Sequence, residues 1–371
     1  MLDERVWAEI DLGALAHNAA KIKENLGGVK LMAVIKADAY GHGAIQSARA
    51  LSRRGADYLA VACLSEAMEL RNSGITLPIL ILGYTPPERA GTLAQNNLTI
   101  TVFDLEYAKQ LSANAVSLGV TLTAHIKTDT GMSRLGLQSS AEVLEVLKLP
   151  NLRAEGLFSH LANADHPDDP FVAEQLRAFN KITDELSDIK FDITHCANTG
   201  GVLYYKESWL NMVRAGLILF GAAGGCKPVM RLVARIAQVK NIKAGDTVSY
   251  GRTYTAARDV KAAVVCAGYA DGYMRALSNK GFADCNGVLV PVIGNVCMDM
   301  LMLDVTGLDV KMNDTVTLFG SKKLSAATLA AQAGTIPYEL LCAVSRRVPR
   351  IYREEDGDGV KLYNPKMSRF M

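Results

Sequence analysis

The sequence is short of paired cysteines, of charge of one sign and of long apolar runs. Its seven cysteines (Cys63, Cys196, Cys226, Cys266, Cys285, Cys297 and Cys342) are scattered, with no CxxC, HExxH or comparable ligand spacing among them. Neither a disulfide framework nor a bound metal is expected; most of them sit in apolar stretches and read as small buried hydrophobes. The net charge of 371 residues is only +2, which leaves no field strong enough to gather nucleic acid. The one basic cluster, Arg346, Arg347, Arg350 and Arg353, reads as part of a late strand with charged outward positions. No apolar run reaches membrane-spanning length, the best being LPILILGY and LILFGAAGG. The opening MLDERVWAEIDL lacks the basic-then-apolar layout of an export signal. The expectation is a cytoplasmic protein with no nucleic-acid or membrane partner.

What is present is 49% hydrophobic and 21% charged, enough for one large domain and a smaller one. From residue 30 to 221 short apolar runs alternate with amphipathic stretches. The runs are LMAVIKA, YLAVACL, LPILILG, LTITVFD, LTAHIKTD, AEGLFSHLA, FDITHCANT and MVRAGLILFG. Between them GAIQSARALSRRG, EAMELRNSG and DPFVAEQLRAFNKITDELSD place apolar residues at three- and four-residue steps, as helices do. Eight such repeats predict a TIM-type (β/α)8 barrel over residues 12–231. From about residue 232 strands and tight turns predict a mainly β C-terminal domain over residues 232–371. One helical stretch, SAATLAAQAGTIPYELLCAVS, interrupts it, and residues 1–11 return to it as a strand.

In KLMAVIKADAYGHG an apolar strand ends in a lone lysine, Lys36. It either snorkels into water or pairs with Asp38; alternatively, an amine held partly away from water loses proton affinity and becomes a nucleophile toward an aldehyde. Chemistry in such a barrel gathers at the carboxyl ends of the strands. There fall Lys36 and Tyr40, then Lys127, Asp129 and Arg134, then His160 and Asp165, then Asn198 and Thr199, with Arg214 and Gly216 at the last strand. The small residues of CANTGG and RAGL occupy the usual barrel phosphate position, where backbone N–H groups approach an anion. A phosphate cradle and a strand-end lysine in one mouth point to pyridoxal 5'-phosphate.

AVIKADAYGHG, HIKTDTGMSRLG, GLFSHLANAD, CANTGG, MVRAGL, VSYGRTYTA, GYADGY, VCMDM and TIPYELLC, in this order, together resemble alanine racemase. The resemblance implies L-alanine/D-alanine interconversion for peptidoglycan, and a homodimer whose composite active sites take residues from both chains. It implies that Lys36 is joined to the cofactor and serves one face of the substrate, while Tyr250, from the neighbouring subunit, serves the other. Inverting a carbon needs two such acid–base groups. Phenols are poor bases near neutral pH unless positive charge lies close; by resemblance His160, backed by Arg214, provides that link. Arg214 is implied at the pyridine nitrogen, and Tyr40, Asn198, Thr199, Gly216, Leu217 and Tyr338 around the cofactor, with Thr199 where serine is common. Arg134 is implied at the phenolic oxygen and on the carboxylate side of the substrate. Met298 and Asp299 of the partner bind that carboxylate, Asp165 and Tyr269 line the entryway, and Lys127 is a candidate for carbamylation. A plain Lys127 beside Asp129, a strand tyrosine at 250 and a salt-bridged Arg214 are the structural alternatives. The short connection over residues 222–231 and Asn295, where an arginine often lies, depart from the family pattern and bear on the entryway. A serine or broad-spectrum racemase, a barrel-fold decarboxylase and a non-catalytic cofactor carrier are the competing functions; Arg214 speaks against the second and Tyr250 against the third.

Overall fold

The computed structural model describes residues 4–356 and 359–363. Contacts divide them into two units, one of residues 16–39 and 44–219, the other of the remaining described residues. Strand β1 (Val6–Asp11) belongs to the second unit.

Eight parallel strands build the first unit: β2 (Lys30–Val34), β3 (Tyr58–Val61), β4 (Ile79–Ile81), β5 (Leu98–Val102), β6 (Leu122–Lys127), β7 (Leu152–Phe158), β8 (Ile193–His195) and β9 (Met212–Ala215). They run in the order β8-β7-β6-β5-β4-β3-β2-β9, a near-closed barrel in which the Arg214 N–H donates to the Ala197 carbonyl at 3.0 Å beyond β8. Burial on both faces makes β3 and β4 continuous apolar runs rather than alternating ones, while β5, buried throughout, places Thr99 and Thr101 between its apolar residues. The helices outside them are amphipathic. Pro170–Glu185 buries Val172, Leu176, Phe179 and Ile182, and starts at Asp169, whose carboxylate accepts from the Phe171 N–H at 2.8 Å. Proline at the first helical position has no N–H to leave unpaired.

In the second unit β10 (Met230–Ile242) is the long central strand. It pairs antiparallel with β1, with β13 (Val260–Val265) and with β17 (Thr315–Phe319), while β11 (Thr247–Val248) and β12 (Tyr254–Thr255) form a separate ribbon. β14 (Phe282–Cys285) and β15 (Val288–Pro291) form a hairpin on Asn286-Gly287, both at positive φ as that tight turn requires. β16 (Leu301–Asp304) pairs β13, and β18 (Arg350–Asp356) lies parallel to β1 and antiparallel to β19 (Gly359–Tyr363). A core of Val248, Ala256, Val260, Ala262, Ile293 and Met302 lies beneath the ribbon and β13.

Three details differ from the sequence reading. β10 begins at Met230, inside the range expected for the barrel, because it must pair with β1 along its first residues. The single helical stretch is two helices, Ala326–Ala333 and Pro337–Cys342, separated by Gly334 at φ 75°. Of the basic cluster only Arg350 and Arg353 lie in a strand; Arg347 precedes it and bonds to Asp271 at 2.9 Å.

Candidate active site

Strand β2 ends and the chain turns left-handed. Ala37, Asp38, Ala39 and Tyr40 have φ between 51° and 54°, four consecutive non-glycine residues in a region that costs each of them about 1–2 kcal/mol. Side chains brace this turn: Glu66 accepts from the Ala37 N–H at 2.7 Å and Asp38 from the Ala44 N–H at 2.7 Å. Lys36, half-buried, stands at its start.

The loop after β6 is tied to a carboxylate. Asp129 accepts from the backbone N–H groups of Gly131, Ser133 and Arg134 at 2.9, 3.1 and 2.9 Å. Burial raises its carboxyl, and these bonds with Lys127 outweigh that, for a net lowering. Gly136, at φ 140°, lets the loop close on β6: a Cβ there would stand 2.4 Å from the Asp129 nitrogen. Asp129, Arg134 and Gly136 line a cavity of about 510 Å³. Lys127 is only 4% exposed and donates to the Leu135 carbonyl. Burial, aided by Arg134 and Arg214 and opposed by Asp129, pulls its amine down to about 8.

Arg214, on β9, is buried and all its hydrogen-bond acceptors are uncharged. Its Nη2 donates to the Ser159 and Cys196 carbonyls at 2.8 and 2.9 Å and to His160 Nδ1 at 3.0 Å; its Nη1 donates to His195 Nδ1 at 2.5 Å. Burial holds His160 well below its ordinary range, and Arg214, Arg134, Lys127 and Lys36 push in the same direction. Four cationic side chains thus disfavour a charge on one imidazole, and Arg214 bonds it directly. Since Arg214 can only donate, His160 Nδ1 accepts and its remaining proton is on Nε2. Nearby, the Gly216 N–H donates to the Thr199 hydroxyl at 3.3 Å, and Asn198 accepts from the Gly201 N–H at 3.0 Å. Leu217 is buried after Gly216, and Asp165 is exposed on the loop beyond His160.

In the second unit Tyr40 packs edge-on against Tyr338, ring centroids 5.7 Å apart. Tyr250 opens a short turn between β11 and β12, with Ser249, Gly251 and Arg252 at positive φ, and is 74% exposed. It is therefore a turn residue rather than a strand one. Tyr250, Tyr269, Asn295, Met298 and Asp299 line one concavity of about 1120 Å³. Asn295 donates to the Tyr250 carbonyl at 2.7 Å. Fully buried Asp271, which the sequence reading passed over, accepts from Arg5 at 2.7 Å and Arg347 at 2.9 Å, while Arg347 also bonds Asp299 at 2.7 Å. His125, Glu155 and His195 were likewise unseen; a histidine inside each of two apolar barrel strands was their only signal. Among the described residues no cluster of side chains could hold a metal ion and no helix is long and apolar enough to cross a membrane.

Two family models match the chain: alanine racemase, N-terminal domain, over residues 10–224, and alanine racemase, C-terminal domain, over residues 229–352. An alanine racemase of Desulfovibrio desulfuricans is 45% identical over 95% of this chain and 99% of its own length. The solved alanine racemase of Clostridium difficile 630 superposes with a TM-score of 0.91 at 38% identity, over 98% of this chain and 99% of that one. That of Bartonella henselae, solved with covalently bound pyridoxal phosphate, gives 0.85 at 29% identity, over 94% and 99%.

Proposed function

The chain belongs to the alanine racemase family, and from that premise we propose that it holds pyridoxal 5'-phosphate at the barrel mouth and works between two acid–base groups, Lys36 and Tyr250. Its activity is the interconversion of L- and D-alanine, an isomerase reaction. One observation carries the cofactor reading: Lys36, Lys127, Arg134 and Arg214 all act on the neutral His160, while the carboxylate of Asp129 beside Lys127 is occupied by backbone N–H groups. Such a donor set fits an anionic guest carrying a phosphate, a phenolic oxygen and, with substrate, a carboxylate. Thr199, Asn198, Gly216 and Leu217, with Tyr40 and Tyr338, are assigned to the cofactor. When bound, the cofactor supplies an aldehyde for the amino group of alanine and a ring that draws electron density from its Cα.

The chain's own residues do the rest. Lys36 Nζ takes or returns a proton on one face of Cα, and Tyr250 Oη does so on the other. His160, neutral with its proton on Nε2, and the Arg214 cation behind it favour a phenolate at Tyr250. Arg214, a cation with uncharged partners, would hold the pyridine nitrogen as a donor and keep a proton off it, which would favour return of the proton to Cα over transamination. Arg134, Met298 and Asp299 hold the substrate carboxylate, and Tyr269 with Asp165 excludes water at the entrance. Lys127, with its amine near 8, has a neutral fraction that can add CO2: a nitrogen–carbon bond forms, one proton leaves to solvent, and the resulting carbamate anion faces Arg134.

Tyr250, Tyr269, Met298 and Asp299 share one exposed surface of the second unit, which suits a homodimer in which that surface completes a neighbour's barrel mouth. Mixing inactive Lys36→Ala and Tyr250→Ala chains tests both assignments at once. Hybrid dimers regain up to about a quarter to a half of the wild-type rate with L-alanine; no recovery despite demonstrated exchange of subunits rejects the shared site. Chiral analysis of L-alanine and L-serine incubated separately with the wild-type chain decides between narrow and broad substrate range.

A further inference from the structure

Arg214 is the head of a hydrogen-bonded file that runs down the barrel interior to the opposite ends of the strands. Its Nη1 meets His195 Nδ1 at 2.5 Å, His195 Nε2 meets His125 Nδ1 at 2.9 Å, and His125 Nε2 meets Glu155 Oε2 at 3.2 Å. Tyr58 donates to the same carboxylate oxygen at 2.9 Å and lies 2.6 Å from the Thr99 hydroxyl.

The direction of every proton follows from the two ends. A guanidinium only donates, so His195 Nδ1 bears a lone pair and its proton sits on Nε2. That proton must go to His125 Nδ1, which places the His125 proton on Nε2, facing Glu155. An ionised carboxylate only accepts, so the tail demands the same order that the head does. Burial keeps both imidazoles neutral, and Glu155, drawn down to about 2 chiefly by its bond from His125, stays ionised.

We propose that Glu155 is a positioning residue for Arg214: by fixing the tautomers of His125 and then His195, it keeps a lone pair turned toward the guanidinium and so fixes the direction in which Arg214 presents its remaining donors. Without an acceptor at 155 the file can reverse. His125 then donates from Nδ1 to His195 Nε2, His195 bears its proton on Nδ1, and two donors face each other at Arg214. The guanidinium must turn away. The consequence for racemisation rests on the reading of Arg214 given above; the tautomer assignment does not.

The test is the holoenzyme labelled with ¹⁵N-histidine, compared as wild type, Glu155→Met and Glu155→Gln by two-bond ¹H–¹⁵N correlation and by racemisation kinetics. Wild type shows His125 and His195 protonated on Nε2 alone. Glu155→Met shows Nδ1 protonation at one or both and a kcat lowered on the order of tenfold with KM for alanine unchanged, as expected for loss of one oriented interaction felt at the reacting centre. Glu155→Gln, which keeps an acceptor oxygen of the same reach, retains the wild-type tautomers and most of kcat. A proton on Nδ1 of either histidine in wild type overturns the proposal, as does a Met variant with unchanged tautomers or a Gln variant as impaired as Met. If Glu155→Met does not fold, the wild-type and Gln spectra decide. Correct tautomers in a wild-type chain that racemises nothing would leave the file intact and reject the catalytic reading instead.

Discussion

Replacing Lys127 by methionine, which has almost its length and no charge, asks the structure for a number. The amine falls from 10.5 to about 8 on folding, through burial first and then the neighbouring Arg134 and Arg214. At 1.36 kcal/mol per unit this is a penalty of about 3 kcal/mol, carried in full below pH 8 by a folded chain with an unmodified Lys127. Between pH 8 and 10.5 the unfolded chain holds a proton that the folded chain has lost. The stability of the unmodified wild type therefore rises with pH relative to Lys127→Met, by about 3 kcal/mol across that window. The bond to the Leu135 carbonyl is lost at every pH and shifts the difference by a constant without changing its slope. Urea denaturation of both chains at half-unit steps from pH 7 to 10.5, in CO2-free buffer, measures the slope. In bicarbonate, where the proposed carbamate would replace the ammonium, the folded chain has already released its amine protons below pH 8, so the rise with pH extends below that window and the wild type gains at pH 7. Parallel stability curves in CO2-free buffer would refute the depressed amine.

Other expectations follow from single contacts. Tyr250→Phe lowers exchange of the Cα hydrogen with solvent deuterium by at least about a hundredfold for one alanine enantiomer and far less for the other; equal losses would argue against bases on opposite faces. Gly200→Ala places a methyl 2.3 Å from the Ala164 carbonyl, forces the loops around Thr199 apart, and weakens pyridoxal phosphate retention by at least about tenfold in equilibrium dialysis, with a loss of about 1–3 kcal/mol of stability. Asp271→Asn removes the buried charge that Arg5 and Arg347 bond and leaves two partly exposed guanidinium groups to water; a cost of about 1–2 kcal/mol appears as a lower unfolding midpoint, and a looser hold of Arg347 on Asp299 appears as a higher KM for alanine. An unchanged KM with the lower midpoint would confine Asp271 to stability.

The barrel was legible because its strands are apolar on both faces and its helices are not, so periodicity alone separates YLAVACL from EAMELRNSG. Local punctuation was less so. Gly334 splits a helical stretch whose apolar spacing runs on past it, and the placement of Arg347 depends on Asp271, seventy-six residues away in sequence. At the mouth, strand-end polarity singled out the residues that act on His160. The file from His195 to Glu155 escaped notice because His125 and Glu155 lie within strands and His195 closes a short one, and each looks like any inward side chain until its neighbours across the barrel are known. Tyr250 was named by its motif; that it stands out on a strained turn rather than along a strand comes from positive φ at Ser249, Gly251 and Arg252, which no pattern of hydrophobicity encodes.

The left-handed turn after Lys36 reverses the usual preference for natural handedness. At Ala37, which is exposed with φ 53° and ψ 52°, the mirror-image amino acid would sit in its own favoured basin, while the natural one is held there by Glu66 and the packing around it. A chain assembled by chemical ligation with D-alanine at that position should be the sturdier of the two. The backbone that follows Lys36 thus favours, at one residue, one of the two enantiomers that the enzyme interconverts.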